Sequence, residues 1–422
     1  MTSLPLADTH LTTPAQAGEQ RAPGDAWRER FFFGLALALG MIVWIPQALR
    51  WMNDSDFGPH GDDVRRTLDS LIWVMTNVPH FMFQALSAGV SRLLGWDVPY
   101  SMALVVLLAM LMTTGILFVV YRRALAGAAA LSWGRGALVC AAVLATLVVA
   151  PFNLLTPQTL YFGYIAPNVW HNPTVNLMKP SALVLFFSGL LVYQAGFRPR
   201  PPALWAAGYA LLSIFCLFSK PNFLIAFLPA LALMTLAAML RRQHIHWLLL
   251  LGGIVLPTGL MLFIQTQTWS TNAGIELSPL ETFALWAYHY DPAANQGLPL
   301  KFVLSVLFPA VVYLAHARAA VRDLAFNAAW LTFAFGLAYT TLVVDRSNPT
   351  AGDFTWSAQF GVYLLFVVAL RFLLRRYGQD QARPGWVLWA CAGVLALHVA
   401  AGINWYGVHL TNTYQDIIYI WW

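Results

Sequence analysis

Eleven stretches of this chain are each about as long and apolar as a helix needs to be to cross a bilayer core, roughly 20 residues at 1.5 Å rise. They lie near residues 31–49, 101–121, 136–152, 177–195, 203–219, 222–240, 247–266, 301–317, 325–344, 355–374 and 386–403, with the third and eighth the least pronounced. In lipid every backbone polar group must be satisfied within its own segment, so such runs fold as α-helices. Composition agrees, since 59% of the 422 residues are hydrophobic and only 10% are charged. A soluble domain with a buried core does not look like this. The expected fold class is an all-α polytopic membrane protein with about eleven transmembrane helices, located in a cell membrane, the bacterial inner membrane being the expected one.

Lysine and arginine set the expected orientation, because cytoplasmic loops retain positive charge. With the N-terminus inside, alternate loops divide the 24 basic residues into sixteen inner and eight outer, while twelve of the 18 acidic residues fall outside. The C-terminus is then outside. Residues 1–30, rich in Thr, Ala, Pro and Gln, read as a disordered cytoplasmic tail ahead of a membrane domain over 31–422. The net charge of +6 comes from short helix-flanking arginine clusters. It needs no nucleic acid as partner. Cys140, Cys216 and Cys391 all fall inside predicted spans, as packing residues do. No P-loop, dinucleotide glycine pattern or zinc-ligand spacing is present.

The polar residues concentrate in three outer loops. In the first, residues 50–100, Val64, Leu68, Leu71, Ile72 and Met75 share one helical face, and Met82, Leu86, Val90, Leu93 and Leu94 repeat the spacing after a break at Asn77-Val78-Pro79. This predicts two amphipathic helices lying in the outer interface. Five charged side chains crowd into Asp62–Asp69. The second loop carries Tyr161, Tyr164, Trp170 and His171 on a Pro- and Asn-rich segment, and the third carries Glu276, Glu281 and the cluster "WAYHYDP" around His289. Lys179, Lys220 and Lys301 are the only lysines, and all fall at outer helix ends.

The order of these elements resembles the GT-C glycosyltransferases, which move a sugar from a polyprenyl-phosphate or polyprenyl-diphosphate carrier on the outer face. The resemblance lies in a first span, an acidic pair in "HGDDV", then "VPHFMFQALSAGVSRLLGWDVPYSMALVVLLAM" ending in "YRRALAG", and later "FSKPNFLIAFLPAL" between two central spans. It extends over roughly the first 240 residues, and the last third shows no counterpart. It implies a glycosyltransferase acting on a polyprenyl-phosphate-linked sugar, among membrane lipids, with a lipid, glycan or protein acceptor. The catalytic carboxylates would be Asp62 and Asp63, with Asp56 as a further candidate. A carboxylate within reach of the acceptor hydroxyl can take its proton. Lys179 and Lys220, with Arg65 or Arg66, would hold the carrier phosphate. Trp170, His171, Tyr164 and His289 would line the substrate cavity. No cofactor is certain; a divalent cation, Mg or Mn, would suit the acidic loop beside a phosphate-bearing donor.

Plainer roles compete for the same residues. Asp62 could cap a helix or pair with Arg65, and Trp170 could belong to an aromatic belt. His171 could cap a turn, the YHYD cluster could anchor in the interface, and the lysines could snorkel. Glu276 and Glu281 read as solvated loop charges, and His398, inside the last span, as a satisfied structural imidazole. A lipid or solute transporter or flippase is the alternative from another class, though no internal repeat is evident. A polysaccharide polymerase or ligase would share the lipid-linked substrate but would use outer-loop arginines, where the third loop offers only Lys301 at its end.

Overall fold

The computed structural model describes residues 23–53, 59–127, 129–153, 163–269, 274–290, 292–346, 349–350, 352–379 and 385–411. All eleven apolar runs are helical. In chain order the helices are α1 (Pro23–Asn53), α2 (Pro59–Asp69), α3 (Leu71–Asn77), α4 (Met82–Leu94), α5 (Val98–Ala126), α6 (Trp133–Val148), α7 (Pro173–Gly189), α8 (Pro202–Ser219) and α9 (Asn222–Leu240). A π-helical stretch, Leu248–Val255, leads into α10 (Leu256–Trp269); α11 (Glu281–His289), α12 (Leu298–Ala315), α13 (Ala317–Ala320), α14 (Leu324–Leu342), α15 (Thr355–Gln379) and α16 (Trp386–Thr411) follow. Among the described residues nine of these helices are long and apolar enough to cross a membrane. The two remaining predicted spans are α6, with only 16 residues, and α14, whose Asn327, Trp330, Tyr339 and threonines lower its hydropathy. The chain is thus a helical, multi-pass membrane protein.

Helix α15 is buried along almost its whole length, with α5, α9, α12 and α14 packed around it. Backbones come close where glycine permits. A Cβ on Gly402 of α16 would stand 1.7 Å from the Val148 carbonyl at the end of α6, so this crossing tolerates no side chain. Beside it, His398 Nδ1 donates to the Ala150 carbonyl at 2.7 Å, while its buried Nε2 has no hydrogen-bond partner among the described residues. The three cysteines are free and buried.

The loop predicted to be the first outer one departs from the expected pair of helices. Ser70 is extended (φ −151°, ψ 109°) and its Oγ accepts from Trp73 N at 3.2 Å. This N-cap ends α2 and restarts the chain as α3. The predicted common face is therefore broken, with Val64 buried but Leu71, Ile72 and Met75 exposed. In α4 the leucine face points away from the bundle: Leu86, Leu93 and Leu94 are exposed, whereas Phe83, Gln84, Ser87 and Ala88 are buried. Small residues let α4 approach α5, and the leucines form an exposed apolar face. Gly95, in the left-handed region at φ +67°, ends α4 and turns the chain into α5. The predicted tail of residues 1–30 is helical from Pro23 onward; residues 1–22 lie outside the described part.

Candidate functional site

Lysine 220 sits at a corner that proline makes. Pro221 disfavours helical backbone in the residue before it. Lys220 is accordingly extended (φ −166°, ψ 122°), α8 stops at Ser219, and α9 starts at Asn222. Lys220 is 4% exposed, with Nζ 4.0 Å from Asp353 Oδ1 and 5.7 Å from the centre of the Trp356 ring. Asn222 fixes the other side of the corner: its Nδ2 donates to the Asp353 carbonyl at 2.7 Å and to Ser357 Oγ at 3.0 Å.

Imidazoles gather around this corner. His60 and His80 each follow a proline, Pro59 at the start of α2 and Pro79 in the break before α4. Phe81 packs on Phe218 of α8, ring centres 4.9 Å apart, and the His60 ring meets Phe83 edge-on at 6.1 Å. Burial, and then the positive field of Lys220, hold His60 down to about 4 and His80 well below the ordinary imidazole value. Both side chains are partly exposed. His171 lies 5.8 Å from Trp356 and stacks on His409 of α16 at 5.9 Å. Burial first, with His60 and Arg50 adding to it, pushes His171 down to about 3. Four histidines, Lys220 and Arg50 thus share one end of the bundle.

The carboxylate at this site is held from the opposite side. Trp286 of α11 donates from Nε1 to the Thr350 carbonyl at 2.8 Å, and its ring fills the space where a Cβ on Gly352 would lie. Strand β1 (Ile275–Leu277) pairs antiparallel with β2 (Val343–Asp345), Glu276 opposite Val344. Arg346 then binds Glu276, Nε to Oε2 at 2.7 Å, and also Glu281. These two glutamates are therefore ion-paired as well as solvated, Glu276 with its side chain 54% exposed and Glu281 with 24%. They clamp the third loop to the segment that presents Asp353. Among the described residues no group of three His, Cys, Asp or Glu side chains could hold a metal ion, so the divalent site expected at the acidic loop has no described ligand set.

No family model, curated protein or solved structure matches the chain. Its own side chains therefore carry the functional argument.

The predicted site residues do not all come together. Lys220 and His171 are in the cluster. Asp63, half-buried, lies on the same side of α2 as His60, three residues earlier. Burial raises its carboxyl despite the opposing pull of Arg66. Asp62 points elsewhere, with a side chain 65% exposed and paired to Arg65 Nη1 at 2.7 Å. Arg65 is thereby occupied, and Arg66 stacks over Trp73 at 5.1 Å. Asp56 and Tyr161 lie outside the described residues.

Three further residues are structural supports. Trp170 is fully buried, edge-on to Tyr406 and His409 at 5.4 and 5.3 Å, which rules out an interfacial belt and puts it behind the site. Lys179 is 1% exposed within α7; its Nζ donates to Asn168 Oδ1 at 3.2 Å and lies 4.7 Å from the Tyr363 ring centre, so it does not snorkel. Tyr164 is buried under Lys301, whose Nζ donates to the Ala293 carbonyl at 2.7 Å. His289 is exposed between Tyr288 and Tyr290, outside the cluster. Sequence reasoning missed His60, His80, His409, Asp353 and Trp356. The repeated Pro-His pair, Pro59-His60 and Pro79-His80, was a usable signal.

Proposed function

We propose that this chain is a membrane glycosyltransferase that transfers a sugar from a polyprenyl-phosphate donor to a hydroxyl acceptor at the end of the bundle carrying α2–α4. The observation that carries this reading is the convergence of Lys220 with His60, His80 and His171 beneath amphipathic helices. A buried cluster of one ammonium and several imidazoles, facing a single half-exposed carboxylate, suits a phosphate group. Exposed leucines on the adjoining α4 suit a substrate that arrives in the lipid phase.

In the reaction, the acceptor oxygen bonds to the anomeric carbon as the bond from that carbon to the phosphate oxygen breaks. Polyprenyl phosphate leaves with the bonding electrons. Lys220 and the imidazole N–H groups are disposed to stabilise the charge it gains. The acceptor proton goes to a carboxylate, and Asp63 is the better of the two adjacent aspartates. It lies on the same side of α2 as His60, and its burial raises its proton affinity, whereas Asp62 is exposed and ion-paired.

Purified protein in liposomes, supplied with a synthetic polyprenyl-phosphate sugar and a panel of acceptors, tests the proposal. A new glycosidic bond formed without transmembrane movement of the donor supports it. Movement of lipid with no bond formed identifies a flippase instead, and absence of donor binding removes the proposal altogether.

A further inference from the structure

A separate cavity is built by residues that the candidate site does not use. A laterally open cavity of about 1000 Å³ runs between α1, α5, α7 and the ends of α14 and α15. Most of its wall is aliphatic or aromatic, including Leu108, Met112 and Val119 of α5 and Val184 and Phe187 of α7. Several of these are exposed, Met112 by 61% and Leu108 by 50%, so the groove faces whatever surrounds the bundle. From Leu108 to Val120 the α5 wall is roughly 18 Å long, at about 1.5 Å per residue, which is the length of a long acyl chain.

One end of the groove is cationic. Arg123, Arg371 and Arg375 reach it, with Asp323 as the acidic group among its lining residues. Asp323 is largely spent. Its Oδ1 accepts from Phe326 N at 2.9 Å as the N-cap of α14, and its Oδ2 lies 2.7 Å from Arg375 Nη2. Arg371 Nη1 pairs with that same oxygen at 3.6 Å, so one carboxylate oxygen serves two guanidiniums, and the buried Nε of Arg375 has no hydrogen-bond partner among the described residues. Buried guanidinium donors without acceptors are costly. Both arginines line the groove at the end where an acyl chain would join its head group, their side chains 15% and 29% exposed.

We infer that this groove binds one anionic phospholipid of the surrounding leaflet, its acyl chain along α5 and its phosphate on Arg371 and Arg375. Charge selects the occupant: three arginines against one aspartate favour an anionic head group over a zwitterionic one, and the apolar length favours a chain-bearing lipid over free phosphate. The site is independent of the glycosyltransferase proposal, since it uses none of the same residues.

Native mass spectrometry of the protein in neutral detergent, titrated separately with phosphatidylglycerol, phosphatidylcholine and glycerol phosphate, tests the inference. Phosphatidylglycerol should bind at one site about tenfold more tightly than phosphatidylcholine, because both offer the phosphate but the choline cation is repelled by the excess of arginine. Glycerol phosphate should not bind. R371Q/R375Q should abolish the preference between the two lipids. M112W/V119W, which fills the groove and leaves the arginines and Asp323 untouched, should abolish phosphatidylglycerol binding and serves as the second variant if the first misfolds. Equal affinity for the two lipids in the wild-type protein, or unchanged phosphatidylglycerol binding in folded M112W/V119W, overturns the inference.

Discussion

Lys220 Nζ stands 4.0 Å from Asp353 Oδ1, joining the corner between α8 and α9 to a loop that precedes α15. The lysine is buried, but the aspartate side chain is 47% exposed. Removing the lysine therefore leaves a carboxylate that water can solvate, and the fold should survive. Lys220→Ala should weaken donor binding by roughly 10- to 100-fold, the worth of one hydrogen bond to a charged group. Binding measured with a labelled polyprenyl-phosphate sugar, alongside thermal unfolding to confirm folded protein, checks this.

Proton uptake should accompany donor binding. The folded values of His60 and His171, about 4 and about 3, lie below the ordinary 6.5. Their neutral forms contribute stability that is complete above about pH 6.5 and is lost as pH falls toward those values. A bound phosphate reverses the bias by favouring imidazolium. A phosphodiester donor does not itself titrate in this range, so the rise in unfolding temperature it produces should be larger at pH 5.5 than at pH 7.5. His60→Gln/His171→Gln should flatten that difference; an unchanged pH dependence in the double variant would separate these histidines from the phosphate.

The two adjacent aspartates should behave differently. Asp63→Asn should lower turnover by about 10²- to 10⁴-fold, the usual contribution of a general base, with little change in donor affinity. Asp62→Asn removes an exposed ion pair worth at most about 1 kcal/mol and should leave turnover nearly unchanged. Steady-state rates of both variants against a defined donor decide between them, and equal losses would argue against Asp63 as the base.

Trp170 should act on folding before chemistry. It is fully enclosed between the second loop and α16, so Trp170→Ala should cost about 3–5 kcal/mol. Less folded protein should reach the membrane, while the surviving fraction should keep most of its turnover per molecule. Quantified folded protein, set against rate, distinguishes this from a wall residue touching sugar.

The sequence by itself determined the helices. Hydropathy and span length are local properties, and each of the eleven apolar runs from α1 to α16 is a helix because lipid-compatible backbone has no other way to satisfy its polar groups. Proline and serine placed several breaks just as locally, at Pro79, at Pro221 and at Ser70, although the serine cap went unrecognised beside the stronger apolar pattern. What only the tertiary structure decided is which faces meet. His60, His80, His171, Lys220, Asp353, Trp356 and His409 come from six separate segments, and no spacing along the chain encodes their approach. The same holds for the exposed leucines of α4 and the buried Lys179, whose surroundings depend on α5, Asn168 and Tyr363 rather than on neighbours in sequence. Helix formation closes hydrogen bonds within four residues; a polar site forms only where distant helices pack, and packing is a property of the whole bundle.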